Sequence, residues 1–443
     1  MRVKQRRVSL NAVQSLALSF ACLILLGALA LMLPIASRSG QSIPFLDALF
    51  TSASASCVTG LVLYDTWTQF TYFGQAVILL LIQIGGLSFM TVAILVSMLL
   101  GRRIGLRSRS ILMDSVGALQ FGGVVRLTRR AMLVTLACEG AGAVALLFWF
   151  CPRYGLRGVW MSVFHAVSAF CNAGFDLLGT GSSLTSAAAE PLLNIVLMLL
   201  IICGGLGFLV WDDLLTHKGQ FSRWRLHSKI ACSATLLLFA LSAAAFYLME
   251  HNHAFAGCSG QEKMLRAAFQ AVTTRTAGFN TTDFSTLSEG GKLLTMILMF
   301  IGAGSGSTGG GIKVNTFTVL LLCAICRIRR RDDVDIFRRR LEDEDIRKAF
   351  STVSMYVMVC VTGCMVLCLQ GVPLDGALFE SISAIGTVGL TLGVTPTLPP
   401  LSKFVVTLMM FTGRVGSMSV VMAMTRDHPR PKVRNVSEKI LIG

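Results

Sequence analysis

Charge is what this chain has least of. Asp and Glu number 23 and Lys and Arg 39 in 443 residues, so charged side chains make up 14% of the sequence against 54% hydrophobic, and the mean hydropathy is +0.69. A soluble protein carries about a quarter charged residues. The length would suit about three soluble domains of roughly 150 residues, but apolar runs recur along nearly all of it, and a polytopic membrane protein is predicted instead. No convincing cluster of His, Asp or Glu stands inside those runs, which leaves a membrane-embedded enzyme without acid–base machinery. Cys323 and Cys326 form one CxxC with no second pair. A structural metal needs more ligands than that, so the thirteen cysteines read as small packing residues, with Cys360, Cys364 and Cys368 on one helix face. The 19-residue apolar stretch at 15–33 lacks an A-x-A cleavage site and fits a first membrane helix better than a signal peptide. The run GSGSTGGGIK lacks the G-K-[ST] of a phosphate loop: Ile312 separates Gly311 from Lys313, and Val314 follows. With no βαβ unit around it either, nucleotide could act only through a partner subunit, and so could any primary active transport.

The charge that is present is placed with a bias. Basic residues cluster at Arg2–Arg7, in seven arginines from Arg102 to Arg130, at Lys218–Lys229, in nine residues from Arg327 to Lys348, and in five from Arg426 to Lys439. These segments alternate with apolar runs, so the positive-inside rule assigns the N-terminus, three connections and the C-terminus to the cytoplasm. The expected location is the plasma membrane of a bacterium, its inner membrane, crossed several times. The net charge of +16 is therefore a matter of topology, and nucleic acid is not an expected partner, because no soluble basic face with interleaved aromatics is present.

Four segments repeat: ALFTSASASCVTGL (48–61), SVFHAVSAFCNAGF (162–175), AAFQAVTTRTAGFN (267–280) and ALFESISAIGTVGL (377–390). Each holds a Phe, a short Ser-, Ala- or Thr-rich stretch and a Gly, with Phe-to-Gly separations of 10, 10, 9 and 10. Apolar runs precede them at 15–33, 131–150, 229–249 and 350–369, and follow them at 75–100, 192–215, 293–326 and 402–424. The expected fold is an all-α membrane protein of four pseudo-symmetric helix–pore loop–helix repeats around one central ion pore. The repeats span 8–115, 126–218, 226–330 and 346–443, the last including the cytoplasmic C-terminus. Non-helical backbone at membrane depth is tolerated only against protein or a water-filled cavity.

A cation leaving water needs replacement for its hydration shell, and inward-pointing backbone carbonyls supply it. Aiming successive carbonyls one way needs positive φ, which Gly adopts without a Cβ penalty. The expected selectivity filter is Val58, Thr59 and Gly60; Asn172, Ala173 and Gly174; Thr276, Ala277 and Gly278; and Thr387, Val388 and Gly389. Glycine notches for helix packing explain a GxxxG face but not four matched segments outside the long helices. Asn172, Thr59, Thr276, Asn280 and Thr387 are expected to support the carbonyls from behind. Arg275 would anchor the third loop, and Asp65 and Asp283 either concentrate cations at the outer side or are solvated loop charges.

Residues 302–311 cannot continue a helix cheaply, at about 1 kcal/mol per interior Gly relative to Ala. A break below the filter, serving as a gate, is expected from Gly302, Gly304, Ser305, Gly306, Ser307, Thr308, Gly309, Gly310 and Gly311. Lys313 is either a gate contact or a snorkelling interface residue. Arg414, in the middle of the last apolar run, needs a partner or a wet cavity. It either bonds broken-helix carbonyls or sits at the pore constriction beside 302–311 and raises the barrier for cations. The 327–350 connection, dense in both signs, reads as a solvated helix or a docking surface.

The four loop motifs CVTGL, CNAGF, RTAGFN and GTVGL, with the run GSGSTGGGIKV, resemble the membrane subunit of Ktr/Trk-type potassium uptake systems, relatives of potassium channels. Arg7 leads directly into the first repeat without the additional hairpin usual in Trk members, so the likeness is to the KtrB type. The resemblance implies K+ as the ion, held only at the filter glycines, with Na+ an activator or coupling ion. It also implies a homodimer controlled by a cytosolic RCK-type (KtrA/TrkA-like) nucleotide-binding ring, and it favours the constriction role for Arg414. Anionic membrane lipid is a competing partner for the basic connection. The alternative function is a secondary ion symporter with an occluded midplane cation site.

Overall fold

The structure, a computed structural model, describes residues 12–87, 124–179, 181–331 and 333–416. The N- and C-terminal basic clusters, most of the 102–130 arginines, and the expected helical stretches 88–100 and 417–424 lie outside these residues. Among the described residues, four helices are long and apolar enough to cross a bilayer: α1 (Ala12–Leu31), with α4 (Val124–Tyr154), α8 (Leu226–Glu250) and α12 (Asp343–Leu369) in the same role. Each turns an apolar stripe outward, with Leu26 66%, Phe148 73%, Leu236 64% and Met365 61% exposed. Such stripes suit lipid and would be a liability in water.

A short buried helix follows each long one: α2 (Phe45–Ser56), α5 (Leu156–Phe170), α9 (Gly260–Thr273) and α13 (Leu374–Gly386). At 12 to 15 residues they extend only about 18–22 Å at 1.5 Å per residue, too short to span a bilayer core of about 30 Å. Pro44 and Pro373 start two of them, and Ser259 caps a third by accepting from Glu262 N at 3.3 Å. A second helix then leads away from each loop: α3 (Tyr72–Leu87), α6 (Pro191–Gly205) continued by α7 (Phe208–His217), α10 (Glu289–Phe300) continued by α11 (Val314–Ile328), and α14 (Pro400–Val415).

The packing is cyclic. Beyond its own unit, α3 leans on α5, α6 on α9, α10 on α13, and α14 returns to α2. That last contact is a seam between the two ends of the chain. Lys403 Nζ lies 2.7 Å from Asp47 Oδ1, and Asp47 Oδ2 accepts from the Tyr64 hydroxyl at 2.5 Å. Asp47 is buried, so pairing it offsets the cost of taking a carboxylate out of water.

Two stretches differ from the sequence reading. The 192–215 run is not one helix: α6 and α7 meet at 92° around Leu206 and Gly207. Gly207 takes φ +101°, and the 301–313 loop docks into the bend, with Phe208 N donating to Gly306 O at 2.8 Å and Gly304 N to Gly205 O at 2.8 Å. The α10–α11 break itself falls at the glycine run, pinched at its base where Gly302 N donates to Ile312 O at 2.8 Å. The 327–350 connection is not a single helix either. It folds into a hairpin, β1 (Asp335–Ile336) and β2 (Arg339–Arg340), braced by an Arg340–Asp333 pair at 2.9 Å.

Candidate functional site

The C-termini of α2, α5, α9 and α13 converge, and each hands over to its glycine loop within a few residues. Gly60, Gly174, Gly278 and Gly389 have φ of +93°, +71°, +79° and +89°. They stand against one another in order around a ring. A Cβ placed on Gly60 would lie 2.6 Å from Ala173 O, one on Gly174 2.9 Å from Ala277 O, and one on Gly278 2.9 Å from Val388 O; one on Gly389 would collide with Thr59 O. Every carbonyl named belongs to the residue before the next loop's glycine, so the four loops abut in a closed ring.

The amides of the four carbonyl-bearing residues are tied back to the helix ends. Thr59 N donates to Ser54 O at 2.8 Å, Ala173 N to Ser168 O at 2.7 Å, Ala277 N to Thr273 O at 3.1 Å and Val388 N to Ser383 O at 2.9 Å. Those bonds satisfy amides at the point where the chain leaves each helix for its glycine loop. The hydroxyls of the same four residues reinforce the loops. Ser54 and Ser383 accept from Gly60 N and Gly389 N, each at 3.1 Å, Ser168 donates to Phe175 O at 2.8 Å, and Thr273 donates to Phe279 O. These hydroxyls, four residues after the Phe of every segment, escaped the sequence reading although all four are visible in it. They also locate the missing residue of the third segment, which falls in the turn between Thr273 and Thr276.

Two residues before each glycine, Val58, Asn172, Thr276 and Thr387 have φ of +57°, +60°, +67° and +51°, a region that costs β-branched residues most. Asn172, Thr276 and Thr387 meet the 301–313 loop: Asn172 Nδ2 is 3.3 Å from Thr308 Oγ1, and Cβ atoms on Gly309 and Gly310 would collide with the Thr276 and Thr387 hydroxyls. Thr59 is buried with no partner for its hydroxyl among the described residues, and Asn280 N bonds Ser183 Oγ at 3.3 Å.

Arg275 is buried behind the third loop and donates to Gly302 O at 3.2 Å. The loop's lower face is held by two cations. Lys313 Nζ donates to Gly309 O at 2.6 Å, while Arg414 donates to Thr308 O, to Gly85 O at 2.5 Å and to Gly86 O at 3.0 Å. Arg414 thus ties the loop to the end of α3 through backbone carbonyls. Beneath, a cavity of about 240 Å³ is lined by Phe208, Ser307, Gly309, Lys313, Tyr356 and Arg414.

On the other face of the ring, Asp65 accepts from Thr68 N at 2.8 Å and Gly181 N at 3.1 Å, and Asp283 accepts from Ser285 N at 2.9 Å. Both are loop caps. Asp176, two residues past Gly174 and unnoticed in the sequence, is half-buried nearby. Burial pushes its carboxyl up to about 6 against the Leu178 N–H it accepts, with the Asp65 carboxylate adding to the rise.

The sequence profile of the TrkH cation transport proteins matches residues 3–436. The Ktr system potassium uptake protein B of Bacillus subtilis is 41% identical over 419 residues, 93% of each chain. The potassium/sodium uptake protein NtpJ of Enterococcus hirae is 39% identical over 449 residues, 99% of each. The crystal structure of the potassium transporter TrkH from Vibrio parahaemolyticus superposes with a TM-score of 0.76 at 19% identity, covering 96% of this chain and 87% of that one.

Proposed function

The chain belongs to the TrkH family of cation transport proteins, a family of transporters and not of enzymes, and from that premise we propose that it is the potassium-translocating membrane subunit of a Ktr/Trk-type uptake system. The observation that carries this reading is the ring: Gly60, Gly174, Gly278 and Gly389, all at positive φ, each stand against the carbonyl of the residue before the next loop's glycine. A potassium ion there exchanges water oxygens for carbonyl oxygens, and the four converging helix C-termini add the negative ends of their dipoles. The segments 58–60, 172–174, 276–278 and 387–389 act as the filter of four pseudo-equivalent repeats. Residues 302–311, tied by Lys313 and Arg414, act as the gate. Potassium or rubidium uptake in a transport-deficient host, with and without sodium, is the test. A pore gives downhill flux at high turnover, whereas a symporter with an occluded midplane site stalls without its coupling ion. The potassium/sodium relative makes sodium the ion to vary.

Asp176 supports the same reading from outside, as a carboxylate that concentrates cations at the mouth. Because its carboxyl is raised to about 6, it is ionised at pH 7.5 and neutralised as pH falls through 6. The half-saturating potassium concentration is expected to rise about twofold between pH 7.5 and 5, since removing one nearby charge changes attraction by only a few tenths of a kcal/mol when screened. Asp176→Asn should remove most of that pH dependence.

Control from the cytoplasm is part of the proposal. The hairpin exposes Arg338, Arg339 and Arg340 beside Asp333, Glu342 and Asp343. Both signs suit a charged protein ring of the RCK type, which would orient a homodimeric membrane subunit. Helix α11, 15 residues and about 22 Å long, joins hairpin to gate. Replacing Arg338–Arg340 by Glu is expected to abolish co-purification with such a ring and its control of flux. Survival of both would move the docking surface to another loop or the C-terminus.

A further inference from the structure

We propose that the connection between α11 and α12 holds a phosphate-binding cavity, walled by Arg327 of α11, Arg331 and Arg340 of the hairpin segment and Arg347 of α12. The site lies at the end of α11 away from the glycine run, apart from the ring and its loop, and it needs no assumption about either.

The floor of the cavity is built from backbone bonds and apolar side chains. Helix α11 ends where Arg330 takes φ +54° and Arg331 N turns back to donate to Cys326 O at 2.9 Å, a cap that Gly usually makes. Leu341 N donates to Val334 O at 3.0 Å and closes the hairpin. Cys326, Val334 and Leu341 are buried together, with Ile346 of α12 packed against them. Two helices and the segment between them are thereby fixed around a space of about 400 Å³.

The charges on its wall do not cancel. Asp333 and Asp343 are the carboxylates there, and one arginine answers both, Arg340 lying 2.9 Å from the first and 3.9 Å from the second. The neighbouring Glu344 and Asp345 turn to Lys348, at 3.0 and 4.0 Å. Arg327, Arg331 and Arg347 have neither an ion pair nor a side-chain hydrogen bond among the described residues. Four guanidiniums against two carboxylates leave the wall positive.

A solvated basic face is the plainer account of arginines on such a connection, and it explains their number. It does not explain why three uncompensated guanidiniums from separate segments share one hollow, where each repels the others. An anion held between them offsets that repulsion. A guanidinium presents paired N–H donors in a fixed fork that matches phosphate oxygens, and a tetrahedral phosphate offers more oxygens to several forks than a carboxylate does. Two sources bring that group here. One is the headgroup of an anionic phospholipid, since Ile328, next to Arg327, and Phe350, one turn past Arg347, expose apolar side chains to a bilayer. The other is free phosphate from the aqueous side. Either would brace the end of α11 against the start of α12.

The test uses the full-length chain, purified in a neutral detergent and freed of lipid. Phosphatidylglycerol and phosphatidylcholine are added separately and the retained lipid is counted by native mass spectrometry, while inorganic phosphate is titrated in parallel and followed by thermal unfolding. The unaltered chain is expected to retain phosphatidylglycerol over phosphatidylcholine, to be stabilised by phosphate, or to do both. The triple variant Arg327→Gln, Arg331→Gln, Arg347→Gln is expected to weaken that binding about tenfold or more, because three charged donors are lost. Arg329→Gln, Arg338→Gln, Arg339→Gln removes as much charge outside the cavity and is expected to change binding by less than about twofold, as screened charges do. Loss confined to phosphatidylglycerol assigns the site to a lipid headgroup, and loss confined to phosphate assigns it to the free anion. If the cavity variant does not purify as a folded chain, Arg331→Gln alone carries the same comparison at a smaller shift. Binding that survives the cavity variant, equal weakening by the two triple variants, or no binding of either anion to the unaltered chain overturns the site.

Discussion

Gly278→Ser is expected to raise the half-saturating potassium concentration for uptake about tenfold or more and to weaken the preference for potassium over sodium. Position 278 has φ +79° and a Cβ there would stand 2.9 Å from Gly174 Cα and from Val388 O. The side chain therefore meets the backbone of two neighbouring loops in a conformation that costs about 1–3 kcal/mol on its own. The ring cannot absorb this by moving outward, because the Ala277 amide is tied to Thr273 O and the Thr273 hydroxyl to Phe279 O. One carbonyl in four is displaced, and the ion loses a ligand whose distance set its fit. Potassium and sodium uptake by the correctly inserted variant give the answer. An unchanged half-saturating concentration removes Gly278 from the ion path.

Arg414→Ala, or deletion of part of 304–310, is expected to raise maximal flux about tenfold while leaving apparent affinity nearly unchanged. The arginine spans two elements, holding Thr308 O on the loop and Gly85 O and Gly86 O at the end of α3. Hydrogen bonds from a charged group contribute about 1.5–3 kcal/mol each, so losing even one differential contact shifts a two-state loop by roughly a factor of ten. Removing the guanidinium also removes a positive charge from the cavity that a cation must cross. Reduced flux at normal expression would make both features scaffolding, and a change in affinity alone would assign them to the filter.

The architecture was legible because each short segment keeps one Phe and one Gly at nearly fixed separation, and the flanking apolar runs are long enough to read as helices. The bend after Gly205 was not. Nothing local at 202–208 marks a bend: Gly204 presses against Phe170 O, and the turn at Gly207 is met by a loop a hundred residues later, with Phe208 N donating to Gly306 O. The left-handed backbone at Val58, Thr276 and Thr387 was equally hidden, since no local propensity places β-branched residues there and the ring's geometry overrides it. The role of the Ser54, Ser168, Thr273 and Ser383 series was missed for a different reason. It lay in the aligned segments, but attention to the glycines left the hydroxyls looking like ordinary small residues. In the 327–350 stretch, mixed charge is compatible with helix or hairpin, and the hairpin buries Val334 and Leu341 against Cys326, with Leu341 N donating to Val334 O at 3.0 Å.

The seam between α14 and α2 bears on how the molecule is made. Lys403 and Asp47 are separated by 356 positions along the chain, and three of the four inter-unit contacts can form before the last helix is synthesised. Closing so long a loop is slow relative to local pairing. The contact between α14 and α2 is therefore expected to form last of the four, after the first three units have paired. A chain that stops short of Lys403 leaves the buried Asp47 with the Tyr64 hydroxyl but no cation, and α2 without α14 against it.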